Sequence, residues 1–347
     1  MIARSADPIS GAATGATPET TFTSDGRLER LDLRGDWRAT DWLTLAGGAE
    51  REITRITTED QYSVDPFKAR SRLQGVWGQA LLAPVDGLNL QAGVRHDDHS
   101  RFGGATTFAA SGSYQVIEPL RLKASWGEGF KAPTLYQLFS EYGNEVLKPE
   151  RAKGWDAGAE LKLLDGAFTA SATWFQRVTR NQIDFISCWG DSNPICEDRP
   201  WGTYDNVART RAKGVELGLG MNPVEGFTVG VQSSWIDARN RTEGSANEGN
   251  RLARRPSQTL SLVSDYQAPA GWSVGATLSQ VSSSFDDAGN TRRIPGYLTA
   301  DIRASISFAE RFELYGRITN LFDETYETVS FYGAPGRQAF VGIRAKL

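Results

Sequence analysis

Leu298-Thr299-Ala300-Asp301-Ile302-Arg303-Ala304-Ser305-Ile306-Ser307-Phe308 alternates apolar and polar residues without a slip. Successive side chains of a strand point to opposite faces, so this run is a β-strand with Leu298, Ile302, Ile306 and Phe308 on one side and Asp301 and Arg303 on the other. The pattern recurs near the start of the chain, where Leu31, Leu33, Gly35, Trp37 and Ala39 alternate with Asp32, Arg34, Asp36 and Arg38. It returns at Leu88 to Val94, Phe168 to Trp174, Val215 to Met221, Phe227 to Val231, Trp272 to Leu278 and Val341 to Leu347. One face is apolar and the other densely charged along most of the 347 residues.

Connections between these runs alternate in length. Short turns fall at Thr40-Asp41, Asp86-Gly87, Glu118-Pro119, Asp165-Gly166, Glu225-Gly226, Pro269 to Gly271 and Glu310-Arg311. Long polar loops fall near Thr57 to Lys68, His99 to Gly104, Lys131 to Glu150, Ser187 to Trp201, Arg241 to Asn250, Asp286 to Arg292 and Glu327 to Gly336. Short turns at one end and long loops at the other are the rims of an up-and-down transmembrane barrel. Phe227 and Trp235 mark the band height: at about 3.3 Å per residue and a tilt of roughly 40° their separation is roughly 20 Å. The fold class expected is therefore all-β, an antiparallel up-and-down transmembrane β-barrel of about 15 strands. A soluble sandwich or propeller would also alternate, but would put its charge outside rather than Leu, Ile and Trp at the turn ends.

Composition agrees. Hydrophobic residues are 39% of the chain, with 36 glycines and 10 tryptophans, a mix that suits a wet interior. No window approaches the run of about 18 apolar residues that a spanning helix needs, which excludes helical insertion and leaves a barrel open. The 38 basic and 42 acidic residues are well mixed, with no basic block to follow a phosphate backbone, so nucleic acid is not an expected partner. The first residues lack the apolar core of a secretory signal, so either an export signal lies upstream or the chain is not exported.

The longest break in the strand pattern is Gly127 to Arg151. It reads as a strand ending at glycines, an extended turn closed by Pro133, one short apolar turn, and a second proline, Pro149, that admits the next strand. Its wording, Gly129-Phe130-Lys131-Ala132-Pro133-Thr134-Leu135, then Gln137-Leu138-Phe139, Gly143-Asn144 and Leu147-Lys148-Pro149-Glu150, resembles the mid-barrel signature of TonB-dependent outer-membrane receptors. Asn320-Leu321-Phe322-Asp323, Tyr326-Glu327-Thr328-Val329 and Pro335-Gly336-Arg337 resemble the C-terminal signature of the same family, and with Tyr332 they are similar to its cobalamin branch.

The resemblance covers Arg27 to Leu347 and implies the barrel portion of such a receptor, with residues 1–26 as an outer loop or disordered segment. It implies uptake of a scarce metal chelate, a corrinoid or a ferric siderophore, across the outer membrane of a Gram-negative cell. Implied partners are outer-membrane lipid, the TonB energising protein and the barrel-assembly machinery. The family's plug domain, its TonB-contacting segment and several strands of a barrel of about 22 have no counterpart here, so an N-terminally truncated, open barrel segment is expected. Such a segment by itself would not transport. A porin-like channel or a structural barrel is the reading of another class, against which the mid-barrel signature argues.

Ligand contacts are expected from loop aromatics and one amide: Tyr136, Tyr142, Asn144, Trp189, Trp201, Phe331 and Tyr332. Large flat ligands are held by aromatic faces with a few placed hydrogen-bonding groups. Cys188 and Cys196, the only cysteines, lie close together in one outer loop and are expected to form a disulfide. Both histidines sit in Arg95-His96-Asp97-Asp98-His99, where a strand leaves the membrane, and polar wording there needs no metal. No phosphate-cradling loop or nucleophile elbow is present, so no enzyme activity, cofactor or resident metal is expected.

Overall fold

The computed structural model describes residues 2–8, 20–60, 66–188, 194–199, 201–206, 209–308 and 311–345. In chain order the strands are β1 (Ile2–Pro8), β2 (Thr20–Arg38), β3 (Leu43–Asp60), β4 (Phe67–Leu82), β5 (Leu88–His99), β6 (Gly103–Ile117), β7 (Leu120–Lys131), β8 (Glu150–Leu163), β9 (Phe168–Arg180), β10 (Ile183–Ile186) and β11 (Thr203–Asn206). They continue as β12 (Arg209–Val224), β13 (Phe227–Asn240), β14 (Gln258–Gln267), β15 (Trp272–Val281), β16 (Ser284–Phe285), β17 (Arg293–Ile294), β18 (Tyr297–Phe308), β19 (Phe312–Thr319), β20 (Glu327–Val329), β21 (Tyr332–Gly333) and β22 (Gln338–Ala345). The one α-helix among the described residues is α1 (Leu135–Phe139), between β7 and β8.

Among the described residues sixteen strands form one sheet in sequence order, interrupted only by the small hairpins β10/β11, β16/β17 and β20/β21. Each pair whose register is resolved is antiparallel. This is the expected meander. Among the described residues β1 pairs only with β2 and β22 only with β19.

The count exceeds the expected 15 because of β1, which pairs with β2 from Ile2 opposite Arg27 to Asp7 opposite Phe22. Residues 2–8 and 20–26 are thus paired strand rather than the loop or disordered segment expected of 1–26. A ladder is held by backbone hydrogen bonds and needs no apolar alternation, so that segment gave no periodic signal. Lys346 and Leu347, at the end of the last alternating run, lie outside the described residues.

Contacts divide the chain into two compact units, Met1–Ser111 with Trp126–Lys153 and Thr179–Ala208, and Gly112–Ser125 with Gly154–Val178 and Arg209–Leu347. In the first unit β2 and β3 are 19 and 18 residues long. A tilted strand crosses a bilayer in about 9–11 residues, so roughly half of each projects beyond the hydrocarbon. Leu33, opposite Ala49, is 75% exposed on the apolar face. The opposite face carries a ladder in which Arg30 reaches Asp32 and Glu50 at 3.0 Å, and Arg95 reaches Glu50 at 3.1 Å and Asp97 at 2.6 Å.

The second unit repeats the division. Ile302 stands opposite Ala276 and Ile318, and Ile306 opposite Leu314, on the apolar face. One residue along, Arg303 stands opposite Gly275 and Arg317, and it reaches across Gly275 to the Asp265 carboxylate and to Thr277 Oγ1 at 3.0 Å. A Cβ on Gly275 would collide with both members of that pair. The tight turn between β12 and β13 needs Gly226, whose φ is +76°, a region closed to most side chains. On the apolar face the Trp155 and Trp174 rings lie 4.3 Å apart between centroids.

Candidate functional site

The segment between β7 and β8 folds because its ends are capped locally. Thr134 Oγ1 accepts from the Gln137 amide at 3.1 Å and Gln137 Oε1 accepts from the Thr134 amide at 3.0 Å, a capping box that starts α1. The helix buries Leu135 and Leu138, and Leu138 joins Leu147 and Ile183 in a small core flanked by Phe102, Phe139 and Tyr204. Arg101 lies over the Phe139 ring at 5.0 Å and pairs with Glu145 at 3.2 Å.

The β10/β11 hairpin is fastened to this segment by polar side chains. Asn206 accepts from the Lys148 amide at 2.8 Å and donates to the Lys148 and Asn181 carbonyls at 2.9 and 2.7 Å. Fully buried Thr203 donates to the Tyr142 carbonyl at 3.2 Å and accepts from Arg199 at 2.8 Å. Asn144 donates to the Tyr204 carbonyl at 2.8 Å and accepts from the Val146 amide at 3.2 Å.

These fastenings bring Tyr136, Tyr142, Phe185 and Tyr204 into one edge-to-face chain, with ring centroids 6.3, 5.6 and 5.4 Å apart for Tyr136–Tyr204, Tyr142–Phe185 and Phe185–Tyr204. Burial first, aided by the carboxylates of Glu141 near Tyr136 and Tyr142 and of Asp184 near Tyr204, pushes the three phenols above the usual tyrosine value. They remain neutral hydroxyls in ordinary conditions, able to donate and accept.

Of the expected contact residues, Tyr136 and Tyr142 therefore meet in one cluster. Trp201 borders the hairpin and is 61% exposed. Asn144, also expected as a contact, is only 2% exposed, and its side chain ties the loop to the hairpin through the Tyr204 carbonyl and accepts from the Val146 amide. Trp189 lies outside the described residues. In the other unit, Phe331 and Tyr332 sit on the β20/β21 hairpin, both largely exposed, with Arg292 over the Phe331 ring at 5.1 Å. Phe185 and Tyr204 were missed by sequence reasoning; the signal was the short alternation Ile183-Asp184-Phe185 and Tyr204-Asp205-Asn206 on either side of the cysteines.

Cys188 and Cys196 are bonded, with Cα atoms 5.4 Å apart and a sequence separation of 8. Closing so short a loop stabilises by about 2–3 kcal/mol in the chain-entropy view. Replacing both by serine is expected to speed amide exchange at Ile183 and Tyr204 while the denaturation midpoint of the sheet stays put. Unchanged exchange in the variant would count against a loop-ordering role. The two histidines stand opposite residues of opposite parity, His96 facing Val76 and His99 facing Leu73, so they point to opposite faces and cannot share one metal ion.

Comparison with known proteins gives the same picture. The family described as TonB dependent receptor-like, beta-barrel matches residues 4–321. The vitamin B12 transporter BtuB of Photobacterium profundum is 26% identical over 313 residues, 88% of this chain and 47% of that protein. The ferric enterobactin receptor PfeA of Pseudomonas aeruginosa, solved as a mutant, superposes with a TM-score of 0.76 at 18% identity over 95% of this chain and 54% of that one. The copper transporter OprC gives 0.80 at 16% identity, over 99% and 61%. The chain spans about half the length of these relatives. An antiparallel meander with one apolar and one charged face, matched by a single family along nearly its whole length, leaves one conclusion: the chain belongs to the TonB-dependent receptor β-barrel family.

Proposed function

We propose that this chain is barrel wall and outer-loop surface of an outer-membrane receptor that captures a corrinoid, cobalamin itself or a close analogue. The observation that carries the reading is the 26% identity to a vitamin B12 transporter along 88% of the chain. The loops are compatible: a corrinoid is a broad, largely flat ligand, and Tyr136, Tyr142 and Trp201 in the first unit, and separately Phe331 and Tyr332 in the second, offer aromatic faces and hydroxyls. Asn144 and the disulfide keep part of that surface in place. Uptake would draw on a TonB-type energising protein, insertion on the barrel-assembly machinery, and the apolar face would meet outer-membrane lipid. The receptor would bind and pass its ligand without chemical conversion.

Equilibrium binding to the complete receptor, with cyanocobalamin and a ferric tricatecholate in parallel, tests this. Saturable binding of cyanocobalamin, weakened at least tenfold by Tyr136→Ala with Tyr142→Ala, is the expected result. Binding of the ferric chelate alone would replace the corrinoid by a siderophore, and binding of neither would favour a ligand-free channel.

A further inference from the structure

Strands β12 and β13 hold their register without a break from Thr210 opposite Asn240 to Met221 opposite Val229, so alternate residues stay on one face. Read from the short turn towards the loops, the apolar face carries Leu219 opposite Val231, Leu217 opposite Ser233 and Val215 opposite Trp235. Then it changes character: Lys213 stands opposite Asp237, and Arg211 opposite Arg239. On its other side Arg239 is bridged by Arg251. Three arginines therefore share one row, with a lysine beside it.

Charge in that row is not balanced. Asp237 pairs with Arg239, which also donates to the Gly249 carbonyl at 2.9 Å. Arg211 and Lys213 have no ion-pair partner among the described residues. Like charges directly opposite each other in a sheet repel, so the row is completed best by an anion lying across it.

Depth and shape say which anion. Tryptophan on a lipid-facing wall marks the membrane interface, and two residues along a tilted strand climb about 5 Å, so Lys213 and Arg211 lie about 5 and 10 Å beyond Trp235, at headgroup depth. Immediately below, the same face is hollowed into an open groove of about 510 Å³. Its small floor residues are Ala159 and Ala172 on one side of the taller Leu217 and Ser233 between Leu217 and Leu260, with Trp235 at the rim nearest the loops. A soluble ligand approaching the loops from outside would not reach into this wall, whereas an acyl chain is already beside it.

We propose that this face holds one phosphorylated lipid of the outer leaflet, its acyl chain in the groove and its phosphate across Arg211 and Lys213. The assignment is independent of the receptor's ligand. Its test is native mass spectrometry of the complete receptor titrated in detergent with dimyristoyl phosphatidic acid, dimyristoyl phosphatidylcholine or inorganic phosphate. Phosphatidic acid is expected to bind at least tenfold tighter than phosphatidylcholine, which has the same chains. Arg211→Gln with Lys213→Gln should erase that preference, at about fivefold per cation removed, and leave phosphatidylcholine unchanged. Ala172→Leu, which fills the groove floor, should weaken both lipids. Equal retention of the two lipids by the unaltered protein, an unaffected preference in the double variant, or displacement of phosphatidic acid by millimolar inorganic phosphate would each overturn the proposal.

Discussion

Replacing Ile302 by arginine is expected to cost about 2–4 kcal/mol in a folding titration into phospholipid bilayers, the penalty of a cation on the lipid face near the midplane. Ile302 stands between Ala276 and Ile318, with no polar group opposite it on either neighbour. Arg303→Gln, one position away, is expected to cost under about 1 kcal/mol. Its pair with Asp265 is on the water-accessible face, with side chains 42% and 43% exposed, where solvent screens most of the attraction. Gly275→Val, in contrast, pushes a side chain into that pair and should cost more than removing Arg303 outright. The opposite ranking of Ile302→Arg and Arg303→Gln would mean that the lipid and water faces have been exchanged.

Asn144→Ala is expected to release the outer-loop assembly without weakening the sheet. The alanine leaves the Tyr204 carbonyl without its amide donor and the Val146 amide without its acceptor, each at a cost of about 1–3 kcal/mol where water does not enter. The damage is confined because one of these bonds joins loop to hairpin, the other lies within the loop, and neither is part of the main ladder. Hydrogen exchange should accelerate across 135–148 and 203–206, with cyanocobalamin affinity of the complete receptor falling at least tenfold. Asn144→Asp keeps the acceptor for Val146 but loses the donor, so its effect should be intermediate. Intact protection in the alanine variant would falsify the supporting role given to Asn144.

Alternation made the strands legible because a wall with lipid on one side and water on the other enforces period two at every crossing. Leu298 to Phe308 was read as a strand, and Tyr297–Phe308 is β18. Turn chemistry did the same for the short connections, as at Gly226. What escaped were features whose cause is not periodic. β1 is held by its backbone pairing with β2, which any side chains permit. Phe185 and Tyr204 lie on four-residue strands, too short for a period to emerge, and they face Tyr142 and Tyr136 from 43 and 68 positions away in sequence. The sequence marks Asn144 as a hydrogen-bonding group on a loop; its burial follows from the hairpin that folds against it, which no local pattern announces.

The paired indoles of Trp155 and Trp174 give this protein an optical signature of its own. Two chromophores 4.3 Å apart and inclined by 38° share their electronic excitation, which splits the absorption and yields a bisignate circular dichroism couplet. Trp155 belongs to β8 and Trp174 to β9, so the couplet appears only once these two strands have found their register. Because the rings sit on the lipid-facing side, brominated acyl chains would quench their emission, together with that of the other lipid-facing indoles such as Trp235, upon insertion. Strand registration and membrane entry can thus be timed separately in one refolding experiment, with no label attached.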